Sequence, residues 1–303
     1  LTSQDSATDA YNVAVGYKVG EDITTGVQNT MIGGFAGDSL TTSAGNVSVG
    51  YASLSATTVG NDNVAIGKEA LEANVLGSAS IAIGTKALQD QLPSSASNPY
   101  NIAIGHHAGK QVTTGADNII IGGLAGDALV NGTRNVAIGS NALSTEDSGA
   151  KNVAVGWSSL QSLNYNGDGF NTAVGYHSGQ AMVTGIKNTL IGANAGDAIN
   201  TGSFNTVFGS LALSAETGGG GNTAIGFAAL NVLNLQNVVG YNVAVGHEAG
   251  AAMTTGVRNT IIGGVAGDSM TSGSYNTLSG YASGDAITSG GYNCLYGYET
   301  GFN

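Results

Sequence analysis

A five-residue phrase, which begins with Asn and ends with Gly, sets the hydrophobic pattern of this chain. The phrase occurs 17 times in the 303 residues; 16 copies begin with Asn, Ser80 begins the other, and all 17 end with Gly. Of the 16 spacings between copies, 13 are 17 residues and the others are 21, 19 and 20. Such a fixed period indicates that each repeat forms one structural unit that stacks on the next.

We number the phrase from its Asn, which is position 0. Positions 1, 2 and 3 are then occupied mainly by apolar residues. Position 1 is Val, Ile or Thr in nearly every copy and position 3 is nearly always aliphatic, as at Val13 and Val15. Position 2 is mostly Ala, with larger residues such as Met31 and Ile120 in some copies. Because neighbouring side chains of a strand point to opposite faces, the pattern predicts a short strand that is apolar on both faces.

A strand that is apolar on both faces needs cover on both. In a stack of coils, where a coil is one turn of the chain, one face meets the chain's own core. Parallel copies of the same chain are the simplest cover for the other face. The pattern therefore predicts an all-β fold, a parallel β-solenoid or β-roll of about 17 coils with 17-residue repeats, elongated and homotrimeric.

The repeats are grouped in blocks of about four. Position 7 is small in nearly every repeat, and position 8 is only ever Gly or Leu. We interpret residues 1–303 as one repeat domain with a lead-in (1–11) and four blocks: 12–100, 101–170, 171–241 and 242–303, the last with an incomplete coil. The three longer spacings end the first three blocks and predict loops on one edge of the solenoid, at Gln91–Tyr100, Tyr165–Phe170 and Leu235–Tyr241.

The Asn at position 0 predicts a ladder of side-chain amides. Stacked amides can hydrogen-bond along the solenoid axis and satisfy groups that would otherwise be buried at a cost. The predicted ladder comprises Asn12, Asn29, Asn46, Asn63, Asn101, Asn118, Asn135, Asn152, Asn171, Asn188, Asn205, Asn222, Asn242, Asn259, Asn276 and Asn293. The Gly at position 4 predicts a positive φ, or a tight corner where a Cβ would clash.

Composition excludes several classes of protein. The 50 Gly are accompanied by only 2 Pro, which excludes collagen, and 42% hydrophobic with 9% charged residues argues against disorder. A net charge of −12 with 8 Lys+Arg leaves no cationic surface for nucleic acid or anionic lipid. No apolar run approaches the roughly 20 residues of a membrane-spanning helix, so we expect no membrane insertion. Cys294 is the only Cys, which excludes an internal disulfide.

Potential metal ligands recur in the repeats, but we predict no metal and no cofactor. Five Asp share position 9 in a phrase similar to a calcium-binding nonapeptide: Asp38, Asp127, Asp197, Asp268 and Asp285. Their spacing differs from that motif, so a turn-capping role is the favoured interpretation and calcium the alternative. The four His are interpreted as exposed rings in a surface turn, with a metal on a trimer axis as the alternative. They are His106, His107, His177 and His247.

Aromatic side chains fall into two columns, at position 5 and at position −1, the residue before the Asn. Rings beside polar loops can stack on sugar rings and donate hydroxyl hydrogen bonds, although most of these rings are expected to pack corners of the coil. The rings that flank or lie in the inserted loops are predicted to contact a receptor. They are Tyr100, Trp157, Tyr165, Phe170 and Tyr241.

Two phrases, Asn222-Thr-Ala-Ile-Gly-Phe-Ala-Ala-Leu230 and Asn171-Thr-Ala-Val-Gly-Tyr-His-Ser-Gly179, are characteristic of the repeats. With the Thr-Thr-Gly and Thr-Ser-Gly turns that join such phrases, the chain resembles the repeat region of bacteriophage tail fibres, which are often matured by a C-terminal intramolecular chaperone. A looser similarity is to the β-roll head of trimeric autotransporter adhesins. The resemblance implies a homotrimer whose partners are other virion or fibre proteins and a host surface glycan or protein.

The predicted function is a structural and adhesive fibre segment of a virus particle, located on the virion, that mediates or supports attachment to a host surface. The head of a trimeric adhesin on a bacterial cell surface is the alternative. A tailspike polysaccharide depolymerase and an ice-binding solenoid are further alternatives. The chain has no phosphate loop, nucleophile elbow or fixed-offset carboxylate pair, so we predict that it is not an enzyme. Thr pairs such as Thr24 and Thr25 occur in only some repeats, which argues against a continuous ice-binding rank.

Overall fold

The computed structural model describes residues 3–5 and 9–301. Across these residues the chain forms 17 parallel β-strands, one in each coil. This β-solenoid of about 17 turns confirms the prediction of an all-β, parallel solenoid with one strand per repeat. In the described part of the chain, no helix is long and apolar enough to cross a membrane.

The chain divides into two compact units, Leu1–Lys151 and Asn152–Asn303. The strands of the first unit are β1 (Val13–Val15), β2 (Thr30–Ile32), β3 (Val47–Val49), β4 (Val64–Ile66), β5 (Ile81–Ile83), β6 (Ile102–Ile104), β7 (Ile119–Ile121) and β8 (Val136–Ile138). Those of the second unit are β9 (Val153–Val155), β10 (Thr172–Val174), β11 (Thr189–Ile191), β12 (Thr206–Phe208), β13 (Thr223–Ile225), β14 (Val243–Val245), β15 (Thr260–Ile262), β16 (Thr277–Ser279) and β17 (Cys294–Tyr296).

Strands of successive coils pair in parallel, with equivalent repeat positions opposite each other. Val13 of β1, for example, pairs with Thr30 of β2. The same register continues across the inserted loops, because Ile81 pairs with Ile102 although the interval is 21 residues. The extra residues of a loop therefore lie outside the sheet and leave the strand order unchanged.

The strands are three residues long because the Gly at position 4 turns the chain. At Gly33 the φ is +130°, and an added Cβ would lie 2.6 Å from the carbonyl oxygen of Gly50 in the next coil. Residues with a side chain rarely adopt this backbone conformation, and the close approach of the two backbones leaves no space for one. Gly at this position thus combines the positive φ and the steric clash expected from the sequence.

The side chain at position 2 points into the core. Met31, Ile120 and Leu190 at this position are fully buried. Positions 1 and 3 of the same strands are half-buried or exposed. The sequence pattern alone left open which apolar face meets the core, and the structure assigns that role to position 2.

Side-chain size at positions 2 and 8 explains the grouping of repeats into blocks. At Gly109 an added Cβ would lie 2.8 Å from Ile120 Cδ1 in the next coil and 3.1 Å from Leu88 Cδ2 in the preceding coil. Leu88, in turn, occupies position 8 of a coil whose position 2 is the small Ala82. Large and small side chains therefore interdigitate between coils, which fills the core at the density typical of protein interiors.

The Asn side chains at position 0 form hydrogen-bonded ladders within the units. Asn29 N–H donates to Asn12 Oδ1 at 2.8 Å, and Asn29 Nδ2 donates to the same oxygen at 3.2 Å. Asn29 Nδ2 also donates to the Ser43 carbonyl of its own coil at 2.8 Å. Equivalent bonds link successive coils of the second unit from Asn152 to Asn293. Asn29 thus closes its own coil and joins it to the preceding one.

Candidate functional site

In the described part of each unit, the outer face of the sheet is an apolar surface that is partly exposed to solvent. We call it the sheet face; it consists of the side chains at positions 1 and 3 of β1–β8 in the first unit and of β9–β17 in the second. Its exposed residues include Val15 (57%) in the first unit and Phe208 (55%) in the second. Every residue at positions 1 and 3 is uncharged.

Exposed aromatic rings border the sheet face on both sides. On the position 5 side, the Trp157 ring stacks on Tyr176 with centroids 5.2 Å apart and an interplanar angle of 13°. On the position −1 side, Tyr275 stacks on Tyr292 at 4.9 Å. Soluble proteins seldom expose a large contiguous apolar surface unless it binds a partner. The sheet face is therefore the leading candidate for an interaction surface.

The predicted receptor-contacting rings are presented at separate loops. Tyr100 and Phe170 follow the first and second inserted loops, and both rings are exposed. Asn98 Nδ2 donates to the Tyr100 hydroxyl at 3.0 Å. Tyr165 is half-buried in the second loop, where its carbonyl accepts a hydrogen bond from Gly167 N–H at 2.9 Å. Trp157 lies instead in the ring border of the sheet face, as described above.

Tyr241, the fifth predicted residue, lines a cavity of about 500 Å³ at the third inserted loop, in the second unit. Phe204 and Val239 also line this cavity. The Tyr241 and Phe204 rings are 60% and 58% exposed. Sequence reasoning missed Phe204 because no loop flanks it along the chain. One sequence feature could have identified Phe204: like Tyr241, it occupies position −1, and stacked coils bring residues of that column close together.

A buried carboxylate holds the loop that forms one wall of the cavity. Glu216 is fully buried, and its Oε1 accepts hydrogen bonds from Gly219 N–H at 2.6 Å and Gly218 N–H at 3.1 Å. Its Oε2 accepts from Leu235 N–H at 3.0 Å. Three backbone N–H groups from two segments of the chain thus share one side-chain carboxyl group as their acceptor. Glu216 therefore positions the first residue of the loop 235–241.

The Asp side chains at position 9 are half-buried, and burial raises the pKa values of four of them. Burial is the main cause of the raised pKa of Asp38, Asp127 and Asp197. For Asp268, burial together with the neighbouring Asp285 carboxyl raises the pKa to about 6. Within residues 3–5 and 9–301, no group of three or more His, Cys, Asp or Glu side chains is arranged to hold a metal ion.

The His side chains pack with neighbouring rings. His106 and His107 stack with ring centroids 3.9 Å apart, and burial is the main cause of the lowered pKa of His107. His177 lies 4.6 Å from the Trp157 ring, and His247 lies 5.3 Å from the ring of Phe227. The imidazoles thus extend the aromatic border along the position 5 side.

No known protein family, curated protein sequence or solved structure matches the chain. The likeness to tail-fibre repeats therefore rests on the repeat phrases and is consistent with the solenoid fold.

Proposed function

We propose that this chain is a structural segment of a homotrimeric fibre on a virus particle and that it supports attachment of the particle to a host surface. The observation that carries the proposal is the uncharged, apolar sheet face of each unit. A fibre of parallel copies covers this face along its whole length, because equivalent residues recur in every coil.

Three copies can cover their sheet faces by turning them toward a common axis. Positions 1 and 3 contain mainly Val, Ile and Thr, so burial of the face removes apolar surface from water and desolvates no charge. Each Val or Ile side chain that passes from full exposure to full burial contributes about 1.5–3 kcal/mol. The net charge of −12 opposes association of copies through any surface, and the sheet face is a surface whose own residues carry no charge. Association is therefore favoured at the sheet face.

The proposed attachment to a host surface depends on the inserted loops that such a fibre leaves exposed. The inserted loops with Tyr100, Phe170 and Tyr241 leave the sheet and remain accessible for a host glycan or protein. Three copies of each loop in one fibre, and several fibres on one particle, bind a surface with avidity even where a single contact is weak. The structural and adhesive roles thus depend on the same assembly.

Light scattering of the purified chain tests the assembly. We expect a stable species with three times the 29.9 kDa mass of one chain. Ile66→Lys in the first unit and Ile262→Lys in the second place a charge on the sheet face at residues that are 38% and 43% exposed. Both variants should shift the mass toward one chain. The matched control Thr42→Lys, at an exposed turn position away from the face, should remain a trimer.

A monodisperse wild-type monomer would overturn the fibre proposal. Attachment is tested separately, by adding fluorescently labelled trimer to a panel of bacterial strains. We expect saturable binding to at least one strain, competed by unlabelled trimer. Binding that is absent from every strain, or that unlabelled trimer does not compete, would contradict the adhesive role and leave only the structural one.

A further inference from the structure

The position −1 column contains one aromatic–glycine–aromatic sequence. In the second unit Phe204, Gly221 and Tyr241 occupy this position in three successive coils. Two coil spacings of about 4.8 Å separate the backbones of Phe204 and Tyr241 by roughly 10 Å. Gly221 places no side chain in this interval, and the cavity of about 500 Å³ lies there. This volume is within the range of roughly 300–1,000 Å³ typical of small-molecule sites.

The cationic side chains of the two adjacent coils each lie over a ring of the position −1 column and do not line the cavity. Lys187 precedes Phe204 by one coil, and its Nζ lies 5.3 Å from the Phe204 ring centroid. Arg258 follows Tyr241 by one coil, but its guanidinium lies over the Tyr275 ring and donates to the Tyr275 hydroxyl. No charged residue lines the cavity. The interval between the rings is therefore an uncharged site.

An equivalent interval in the first unit is filled by the chain itself. At position 5, Gly34 lies between Tyr17 and Tyr51, and the Phe35 ring packs against both at centroid distances of 5.5 and 5.8 Å. The rings that line the cavity at Gly221 are those of Phe204 and Tyr241, and no third ring lies between them. The interval between these two rings is thus left open to a ligand.

The lining of this interval matches the chemistry of a neutral sugar. Exposed faces of Phe204 and Tyr241 offer stacking surfaces to the C–H face of a pyranose ring. Thr201 supplies a hydroxyl group at the same cavity, where it can exchange hydrogen bonds with sugar hydroxyls. The Ser203 hydroxyl also lines the cavity, but it already accepts from Ile186 N–H at 3.1 Å and donates to the Thr201 carbonyl at 3.4 Å. A charged ligand would find no countercharge there. We propose that the cavity between Phe204 and Tyr241 binds one ring of a neutral glycan.

This inference rests on the proposed attachment function and specifies its ligand class. The glycan contact is placed at the third inserted loop, on the turn that leads into the strand rather than on positions 1 and 3. The cavity thus borders the sheet face without being part of it, and burial of positions 1 and 3 does not by itself fill the cavity. Phe204 is assigned to the site with Tyr241, and Glu216 positions the loop that carries Val239 and Tyr241.

Saturation-transfer NMR on the full chain tests the site, with free glucose, galactose, mannose and N-acetylglucosamine as probes at millimolar concentration. We expect transfer to at least one sugar, strongest at its ring C–H protons. Tyr241→Ala and Phe204→Ala should each weaken its binding about tenfold, the effect of losing one stacking partner. Tyr275→Ala, which removes a ring from the same column outside the cavity, is the matched control and should leave binding unchanged.

A second variant fills the interval rather than removing a ring. Gly221 has a φ of +71°, and Phe204 and Tyr241 adopt similar left-handed conformations in the same column with φ of 63° and 50°. The backbone therefore accepts Gly221→Phe, whose Cβ would lie 3.0 Å from Val239 Cγ1 and needs a small shift of that side chain, and the added ring should abolish sugar binding. Gly45→Phe, at the other glycine of this column with the same φ, is its control. There the exposed Asp62 side chain, whose Oδ1 would lie 2.5 Å from the added Cβ, must move aside, and sugar binding should be retained. Circular dichroism and light scattering establish that each variant is folded and assembled.

The outcomes separate this inference from the fibre proposal. A trimer that shows no transfer to any of the four sugars, or whose sugar binding persists in Tyr241→Ala and Gly221→Phe, would overturn the glycan site alone. Binding of N-acetylphenylalaninamide in preference to every sugar would overturn it too and assign the cavity to a protein side chain. Sugar binding by a monomer, lost in the cavity variants, would support the site and contradict the assembly.

Discussion

The side-chain carbonyl of Gln91 accepts a hydrogen bond of 3.0 Å from the side-chain amide of Asn101 in the next coil. Ser80 occupies position 0 of the coil that contains Gln91, where every other repeat has an Asn. Gln91 Nε2 donates to the Ser80 hydroxyl at 3.2 Å. Gln91 therefore bridges the interruption in the Asn ladder with an amide that reaches across the core.

Replacement of Gln91 by Leu should destabilise the chain. The buried Asn101 amide loses one acceptor and the buried Ser80 hydroxyl loses its donor, at a cost of about 1–3 kcal/mol in the free energy of unfolding. Urea unfolding followed by circular dichroism measures the loss. Gln111→Leu, at an exposed side chain of the next coil, is the control and should change stability little.

Restoring the missing Asn should rescue that variant. The double variant Ser80→Asn/Gln91→Leu reproduces the combination of Asn152 and Leu163 that the chain uses in another coil. We expect its urea midpoint to return toward that of the wild type. If the double variant were less stable than Gln91→Leu alone, the bridging role of Gln91 would be wrong.

Gly109→Leu tests the packing that groups the repeats into blocks. The new side chain would collide with Ile120 and Leu88, and overpacking of this kind costs about 1–3 kcal/mol. Ile120→Ala alone should destabilise by leaving a cavity. In a double-mutant cycle measured by thermal unfolding, the double variant should lose less stability than the sum of the two single losses. The reason is that the new Leu side chain can fill the cavity that Ile120→Ala leaves. Simple additivity would show that position 8 is not set by the large side chains of adjacent coils.

The raised pKa of Asp268 predicts a pH-dependent stability. Because its folded pKa of about 6 exceeds the ordinary value of 3.8, its contribution to stability is fully present below the unfolded pKa and is lost as pH rises through 6. Asp268→Asn should therefore flatten this part of the profile and raise the unfolding midpoint at pH 7. Urea unfolding at a series of pH values measures both effects. The exposed Asp62→Asn is the control, and an unchanged profile in Asp268→Asn would contradict the assignment.

Glu216→Gln should loosen the third inserted loop. An amide has one acceptor oxygen, so the backbone N–H groups of Gly219 and Leu235 cannot both keep their partners. We expect a loss of about 1.5–3 kcal/mol in the free energy of unfolding and faster hydrogen exchange at the Leu235 amide. Glu248→Gln, at a partly exposed side chain, should change neither. Unaltered exchange at Leu235 in Glu216→Gln would show that the carboxylate does not hold the loop.

Several features were predictable from the sequence because they depend on local backbone geometry and on a constant period. Apolar residues at positions 1, 2 and 3 predict a short strand, and a 17-residue interval predicts that Val13 and Thr30 lie opposite each other. The Gly at position 4 predicts a corner for the same reason, since its φ is excluded for other residues. None of these inferences needs knowledge of how distant side chains fill space.

Features that depend on contacts between coils could be determined only from the tertiary structure. In the sequence both faces of the strand are apolar. Only the packed core could therefore show that position 2 lies inside and that positions 1 and 3 lie outside. Tyr241 could be proposed from its loop, but Phe204 joins it only because stacked coils bring residues 37 positions apart to one cavity. Gln91 likewise replaces a missing Asn from another position of its coil. Such relationships depend on side-chain volume and hydrogen-bond geometry across the core, which a one-dimensional repeat does not record.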